Sequence, residues 1–276
     1  VDGSPIGPTN SYTFVNVTNS HNINATFAPD EFSLTVNSVH GTPTPAGVTT
    51  NIWNTPINAW VNSPVPNGAS TQYVCTGWAG SGSVPVSGTS NAVSFNITNT
   101  STLTWNWKTQ MLLNAVAGPN GNVTASNGWY NYATLGVVVT AVPTGGYSFV
   151  NWTGDISSTN PTLNLTMSQS YDITANFAAN QYTINATAGP NGTISPSGSV
   201  VVAEGVNQPF SITPDPNYHI AGLFVDAFPV TITNLYTFNN VTSNHSIIAS
   251  FAADSGDVTV TISPAGANAG GAQWRM

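Results

Sequence analysis

The chain has 276 residues, 40% apolar and 10% aromatic (8 Trp, 9 Tyr and 11 Phe), with 4% charged residues and a formal charge of −8. That is enough apolar material for one to three cores, and too much aromatic and β-branched alternation for a disordered chain. Lys108 and Arg275 are its only basic side chains, which argues against a nucleic-acid partner or attachment to an anionic lipid surface, because both need clustered cations.

No apolar run approaches the roughly 18 residues of a membrane helix, so no membrane insertion is expected. No signal peptide is visible, so either it has been removed or the numbering starts inside a longer precursor. Cys75 is the only cysteine, which precludes a disulfide within the chain and leaves an intermolecular one open.

Taken in order, the chain reads as repeats. Residues 1–30, VDGSPIGPTNSYTFVNVTNSHNINATFAPD, match 225–254, VDAFPVTITNLYTFNNVTSNHSIIASFAAD, so residues 1–30 are expected to be the C-terminal half of a β-unit. Unit ends recur as NINATFAPD (22–30), TLTWNWKTQ (102–110), DITANFAAN (172–180) and SIIASFAAD (246–254). Their closing aromatics, Phe27, Trp107, Phe177 and Phe251, bound three complete units at about 31–109, 110–180 and 181–254.

Residues 255–276 read as the N-terminal part of a further β-unit. AGPNG recurs at 117–121 and 188–192, and Asn-Gly pairs at 67, 120, 127 and 191 suit tight hairpin turns. Within 145–180, Leu163, Leu165 and Met167, and then Ile173, Ala175 and Phe177, alternate with polar residues, as half-buried strands do. Strict alternation places Tyr147, Phe149 and Asn151 on one face, and Ser148, Val150 and Trp152 on the other. No sustained 3.6-residue period occurs, so little or no helix is expected.

These residues resemble a known family. YTINATAGPNGTISP (182–196), GYSFVNWTGD (146–155) and YDITANFA (171–178) are similar to divergent internalin-type (InlB-like) B-repeats. CTGWAGSGSVPVSG (75–88) and TWNWKTQ (104–110) resemble a related bacterial surface repeat, and VTISPAGANAGGAQWRM at the end resembles the start of a PEGA-like repeat. The resemblance implies tandem modules of secreted, prokaryotic cell-surface proteins, without catalytic residues. It also implies a β-grasp-like fold with a helix. The alternation permits a small β-sandwich equally, so the fold class is all-β, as tandem small sandwich or grasp-like repeats.

Trp78 and Trp152 occupy matching places 74 residues apart and read as core anchors rather than sugar platforms. Trp53, Trp60, Trp105, Trp107 and Trp129 are open between core and interface. Cys75 aligns with Phe149 and reads as a buried, inert thiol.

Asn-x-Ser/Thr triplets occur at Asn16, Asn24, Asn96, Asn99, Asn122, Asn151, Asn164, Asn185, Asn191, Asn240 and Asn244. They are candidate N-glycosylation sites, or simply the polar half of strand alternation. His21, His40, His219 and His245 lack metal-ligand spacing, and His21 and His245 fall at equivalent turns. Asp254-Ser-Gly-Asp257 could join a calcium site or a linker. No catalytic motif or cofactor fingerprint appears, so the expectation is no enzyme and no cofactor.

The expected function is an extracellular structural protein of a cell-surface filament, sheath or stalk. Copies would join head to tail by β-strand complementation, making the chain its own partner, with covalent glycans as a second attachment. The alternatives are an adhesin or glycan-binding module and the non-catalytic region of a secreted enzyme.

Overall fold

A computed structural model describes residues 1–256. Every regular element in it is a β-strand, as alternation without a helical period requires. One compact unit comprises Val1–Asn114, Ser126–Val138 and Asn164–Asp172, and the other comprises Ala115–Ala125, Val139–Leu163 and the described residues from Ile173 onward. The expected unit at 255–276, beyond its first two residues, its PEGA-like character and Asp257 lie outside the described residues.

Along residues 31–117 the strands are β1 (Glu31–Asn37), β2 (Pro43–Thr44), β3 (Gly47–Ile52), β4 (Thr55–Val61), β5 (Val65–Pro66), β6 (Thr71–Ser81), β7 (Ser87–Gly88), β8 (Ala92–Ile97) and β9 (Ser101–Ala117). β1 pairs antiparallel with β3 and parallel with β9, and β9 pairs antiparallel with β6. β2, β4 and β8 form a second, three-stranded sheet. One core joins the two layers: Leu34, Val36, Trp78, Leu103 and Trp105 from the first sheet and Ile57, Ala59, Val61, Val93 and Ile97 from the second.

Trp78 and Trp105 meet edge to face at 6.1 Å. Gly88 lies flat under the Trp78 ring, where a Cβ would come within 2.1 Å of it. The Trp105 indole N–H is buried without an acceptor among the described residues. That costs about 1–3 kcal/mol, which burial of the large ring offsets.

Residues 110–180 carry the tail of β9 and β10 (Gly121–Thr124), β11 (Gly128–Asn131), β12 (Val137–Pro143), β13 (Tyr147–Gly154), β14 (Thr162–Leu165) and β15 (Tyr171–Ala179). β11 pairs with β9, β10 with β12, and β13 with β15, all antiparallel. A bulge between Phe149 and Asn151 breaks the strict alternation expected here. The extra residue turns the strand over, so Phe149 opposite Phe177 and Trp152 opposite Ala175 share a face, with the Phe149 and Trp152 rings 5.7 Å apart. Trp152 is fully buried and donates its indole N–H to the Asn160 carbonyl at 3.0 Å. Leu163, Leu165, Met167, Ile173 and Ala175 are buried as their alternation indicates.

Residues 181–254 hold β16 (Gln181–Ala188), β17 (Gly192–Ser195), β18 (Gly198–Ala203), β19 (Gln208–Pro214), β20 (Tyr218–Val225), β21 (Phe228–Pro229), β22 (Leu235–Phe238) and β23 (His245–Ala253). One sheet runs β18-β16-β23-β20-β21 and the other β17-β19-β22. Ile184, Ala186, Val202, Leu223, Ile247 and Ala249 from the first close on Ile194, Phe210, Ile212 and Phe238 from the second. This is a small sandwich, and no helix of the grasp-like alternative occurs in it.

The module at 31–109 follows the same plan. Its first strand pairs parallel with its last, as β16 does with β23. Its bulge between Cys75 and Gly77 corresponds to those at Phe149/Asn151 and Ile220/Gly222.

The Asn-Gly turns act as a shared joint. Asn120 and Asn191 take left-handed φ values of 69° and 70°, which Asn tolerates better than most residues. Gly121 and Gly192 then press against the rings of Phe177 and Phe251, where a Cβ would sit 2.3 and 2.4 Å from ring carbons. The closing Phe of each repeat thus packs on the glycine of its first turn.

Candidate functional site

Residues 1–30 contain no strand, yet they are not shapeless. Asp2 takes φ 53° and Asn16 φ 54°, against 50° at both Asp226 and Asn240. One Asp2 carboxylate oxygen lies 2.9 Å from His21 Nδ1 and the other accepts the Asn22 N–H at 2.8 Å. Asp226 does the same with His245 at 2.7 Å and Ser246 at 2.8 Å. Tyr12 and Phe14 lie edge to face at 5.0 Å, as do Tyr236 and Phe238. Phe14 and His21 are 4.9 Å apart, the separation of Phe238 and His245. The 1–30 segment therefore has the internal geometry of the second half of the 181–254 repeat.

Its surroundings differ. Phe238, Val241 and Ile247 are buried beneath β16–β20. Their counterparts Val17 and Ile23 are 62% and 53% exposed, Phe14 is half-buried, and Phe27, the counterpart of the half-buried Phe251, is 93% exposed. Residues 1–12 and 22–28 face each other across an open cleft. Without ladder partners the extended stretches 11–14 and 21–29 satisfy few backbone groups among the described residues, which is why they do not register as strands.

The two carboxylates also agree electrostatically. The Asn22 N–H, and then His21, hold the Asp2 carboxyl below the usual range. At Asp226 burial pulls the carboxyl upward, but the bonds from His245 and Ser246 outweigh it and hold it low. His21 and His245, expected at turns, are the pins that close these loops. His219 makes a third such pair with Asp254 at 3.0 Å. His40 stacks on Tyr73 at 3.5 Å and meets Trp107 edge-on at 5.7 Å. The four histidines are thus dispersed, and no group of three His, Cys, Asp or Glu residues able to hold a metal occurs among the described residues.

Of the eleven candidate sequon asparagines, Asn16, Asn24, Asn96, Asn99, Asn122, Asn164, Asn185, Asn191, Asn240 and Asn244 are exposed. Asn151 is half-buried and accepts a bond from Asn176 at 3.0 Å. Trp78, Trp105 and Trp152 are core residues, Trp107 is half-buried, and Trp53, Trp60 and Trp129 are exposed. Cys75 is half-buried rather than buried, because it lies at the bulge; it packs on the core and its thiol faces the Gly77 carbonyl at 3.5 Å.

Two tandem β-modules, at 110–180 and 181–254, each closed by a phenylalanine on the glycine of its first turn, define a β-repeat protein. The divergent InlB B-repeat domain family matches residues 111–181 and again residues 182–255, together more than half of the chain, and the chain belongs to that family. Repeat domains of this family are typically non-catalytic. No match to this chain was found among curated proteins or among solved structures.

Proposed function

We propose that the chain is a structural segment of a prokaryotic extracellular polymer, a filament, sheath or stalk, whose copies join head to tail through the 1–28 half-unit. The observation that carries this reading is the pairing of a preserved local geometry with an exposed apolar side: Asp2 and His21 hold the half-unit in the shape that Asp226 and His245 give the second half of the 181–254 repeat, while Phe27, Val17 and Ile23 are exposed. An uncovered β half-unit is a template for strand addition, and heterologous joints of this kind propagate rather than close. Tandem sandwiches in series suit tension along the chain, and scarce Lys and Arg leave few sites for trypsin-type proteases. Glycans on the exposed sequon asparagines would keep a nearly uncharged surface solvated.

Negative-stain microscopy of the purified chain tests this. Filaments or tubes that disappear when residues 1–30 are removed are the expected result. Monodisperse particles from the intact chain, or unchanged filaments from the truncated one, overturn it. Exposed Trp53 and Trp60 favour one competing reading, a glycan-binding adhesin, for which binding on a glycan array lost in Trp60→Ala would be the signature.

A further inference from the structure

The tripeptide Pro-Asn-Gly occurs three times, at 66–68, 119–121 and 190–192, and the fold does not treat the copies alike. An Asn-Gly pair allows the backbone to attack its own side chain, because glycine has no Cβ to block the approach. The glycine nitrogen bonds to the asparagine Cγ, the Cγ–Nδ2 bond breaks, ammonia leaves, and a five-membered succinimide remains. Water then opens the ring at either carbonyl and gives aspartate or isoaspartate. Closing the ring requires rotation about the asparagine Cα–C bond, so the asparagine carbonyl must be free to swing.

Two of the copies are held. Gly121 opens β10 and Gly192 opens β17. The Asn120 carbonyl accepts the Thr144 N–H at 3.1 Å and the Thr144 hydroxyl at 2.8 Å, and the Asn191 carbonyl accepts the Asp215 N–H at 3.0 Å. Turning either carbonyl would break these bonds and move the glycine that packs on a phenylalanine ring.

The third copy is not held in this way. Asn67 and Gly68 lie between β5 and β6, in neither strand, and both are exposed. Nothing comes within 4 Å of the place of a Gly68 Cβ. The Asn67 N–H is tied to the Thr71 carbonyl at 2.8 Å, while the Asn67 carbonyl accepts no hydrogen bond among the described residues.

A proton donor stands beside the leaving nitrogen. Asn67 Nδ2 donates to the Tyr73 hydroxyl oxygen at 3.0 Å. Once Gly68 N has added to Cγ, that nitrogen gains a lone pair. The phenol O–H, already within hydrogen-bond reach, can give it the proton with which ammonia departs. The Gly68 amide proton goes to solvent, and water restores the Tyr73 proton. Tyr73 is fixed for this role by stacking on His40, with ring centroids 3.5 Å apart and planes 6° from parallel.

We propose that Asn67-Gly68 is a self-deamidating site, with Tyr73 as the proton donor to the departing ammonia. Conversion adds a carboxylate to the 31–109 module, whose only Asp, Glu, Lys or Arg side chains are Glu31 and Lys108. The reaction needs no second copy of the chain, so it stands or falls apart from the polymer.

The test incubates the full chain in warm, mildly alkaline buffer and follows each asparagine by peptide mass spectrometry, with fragmentation that tells isoaspartate from aspartate. In the folded chain Asn67 should lose its amide at least about tenfold faster than Asn120 and Asn191, since the held turns must first give up hydrogen bonds and packing. In denaturant the three should convert at similar rates, because only the shared tripeptide is left. Equal rates in the folded chain, or an Asn67 amide that persists there as long as those of Asn120 and Asn191, overturn the proposal.

Tyr73→Phe keeps a ring against His40 and removes the proton. It should slow Asn67 by about tenfold in the folded chain, less than a positioned acid contributes in a closed site because water can substitute at an exposed turn. The rate in denaturant should not change. Equal folded-state rates with and without the hydroxyl overturn the role given to Tyr73. The comparison among the three tripeptides uses the unaltered chain, so it decides the site even where Tyr73→Phe fails to fold.

Discussion

Residues 1–28 and 225–252 share the Asp–His pin, the left-handed pairs Asp2/Asp226, Gly3/Ala227 and Asn16/Asn240, and the same ring pairs. One stretch forms half of a closed sandwich and the other has exposed apolar side chains on an open cleft. The comparison separates two layers of folding. Side chains within a few turns of one another, Asp with His and Tyr with Phe, set the local shape and need no distant partner. Burial and strand character come only from β16–β20, which the 1–28 stretch does not have among the described residues. The half-unit is therefore ordered without being closed.

The comparison can be broken by mutation, and the largest effect is expected in the core. Phe238→Ala should destabilise the 181–254 repeat by about 3–5 kcal/mol, because it empties a buried aromatic site. Phe14→Ala, at the matching place, should change stability by less than about 0.5 kcal/mol. Denaturant melts of the two variants measure this, and equal losses would show that 1–28 is already closed.

A smaller effect tests the first-turn joint. Gly192→Val puts side-chain atoms into the Phe251 ring, and an overpacking cost of about 1–3 kcal/mol is expected. Phe27→Ala in the plain chain should cost almost nothing by the same melt, since that ring is 93% exposed.

The smallest effect is electrostatic. Asp226→Asn should cost on the order of 1 kcal/mol at neutral pH, after allowance for solvent screening of a partly exposed pair. The sign follows from the lowered folded-state pKa. The Asp226 contribution is full above the ordinary carboxylate value near 4 and is lost as pH falls through the folded value. Wild type and variant should therefore converge in acid-titration melts below about pH 4. At Asp2 the same substitution should appear as faster exchange of the Asn22 amide rather than as lost global stability. A gap between wild type and Asp226→Asn that widens in acid would contradict the assignment of the carboxylate as the stabilising form.

Much of this was legible in the residues, for reasons that can be named. The closing aromatics and AGPNG turns exposed the repeats because the modules at 110–180 and 181–254 rebuild the same contact of Phe on glycine. Leu163, Leu165 and Met167 announced their burial by alternation. The match of 1–30 to 225–254 foretold the shared half-unit geometry.

What was not legible was register. One inserted residue between Phe149 and Asn151 turns the strand over and brings Phe149 and Trp152 to the same face, against the period-2 expectation. The equivalent bulge at Cys75/Gly77 leaves Cys75 half-buried, as Phe149 is at its own bulge, where the alignment pointed to full burial. Choosing a sandwich over a grasp-like fold also lay beyond the alternation, which both satisfy. The exposed Trp53, Trp60 and Trp129 could not be told from the buried Trp105 by composition, because all of them lie in β-rich sequence of similar polarity.

The sequence alone determined the all-β class, the repeat length and the identity of the residues that can pin a loop, since these depend on neighbours a few positions to some twenty positions apart. The tertiary structure decided which apolar faces are covered. Coverage requires a second sheet and a parallel partner, such as β16 for β23, brought in from some sixty residues away. A side chain's neighbours at that range depend on pairings that no local pattern specifies, and for that reason Ile247 is buried while Ile23, in almost the same local setting, is not.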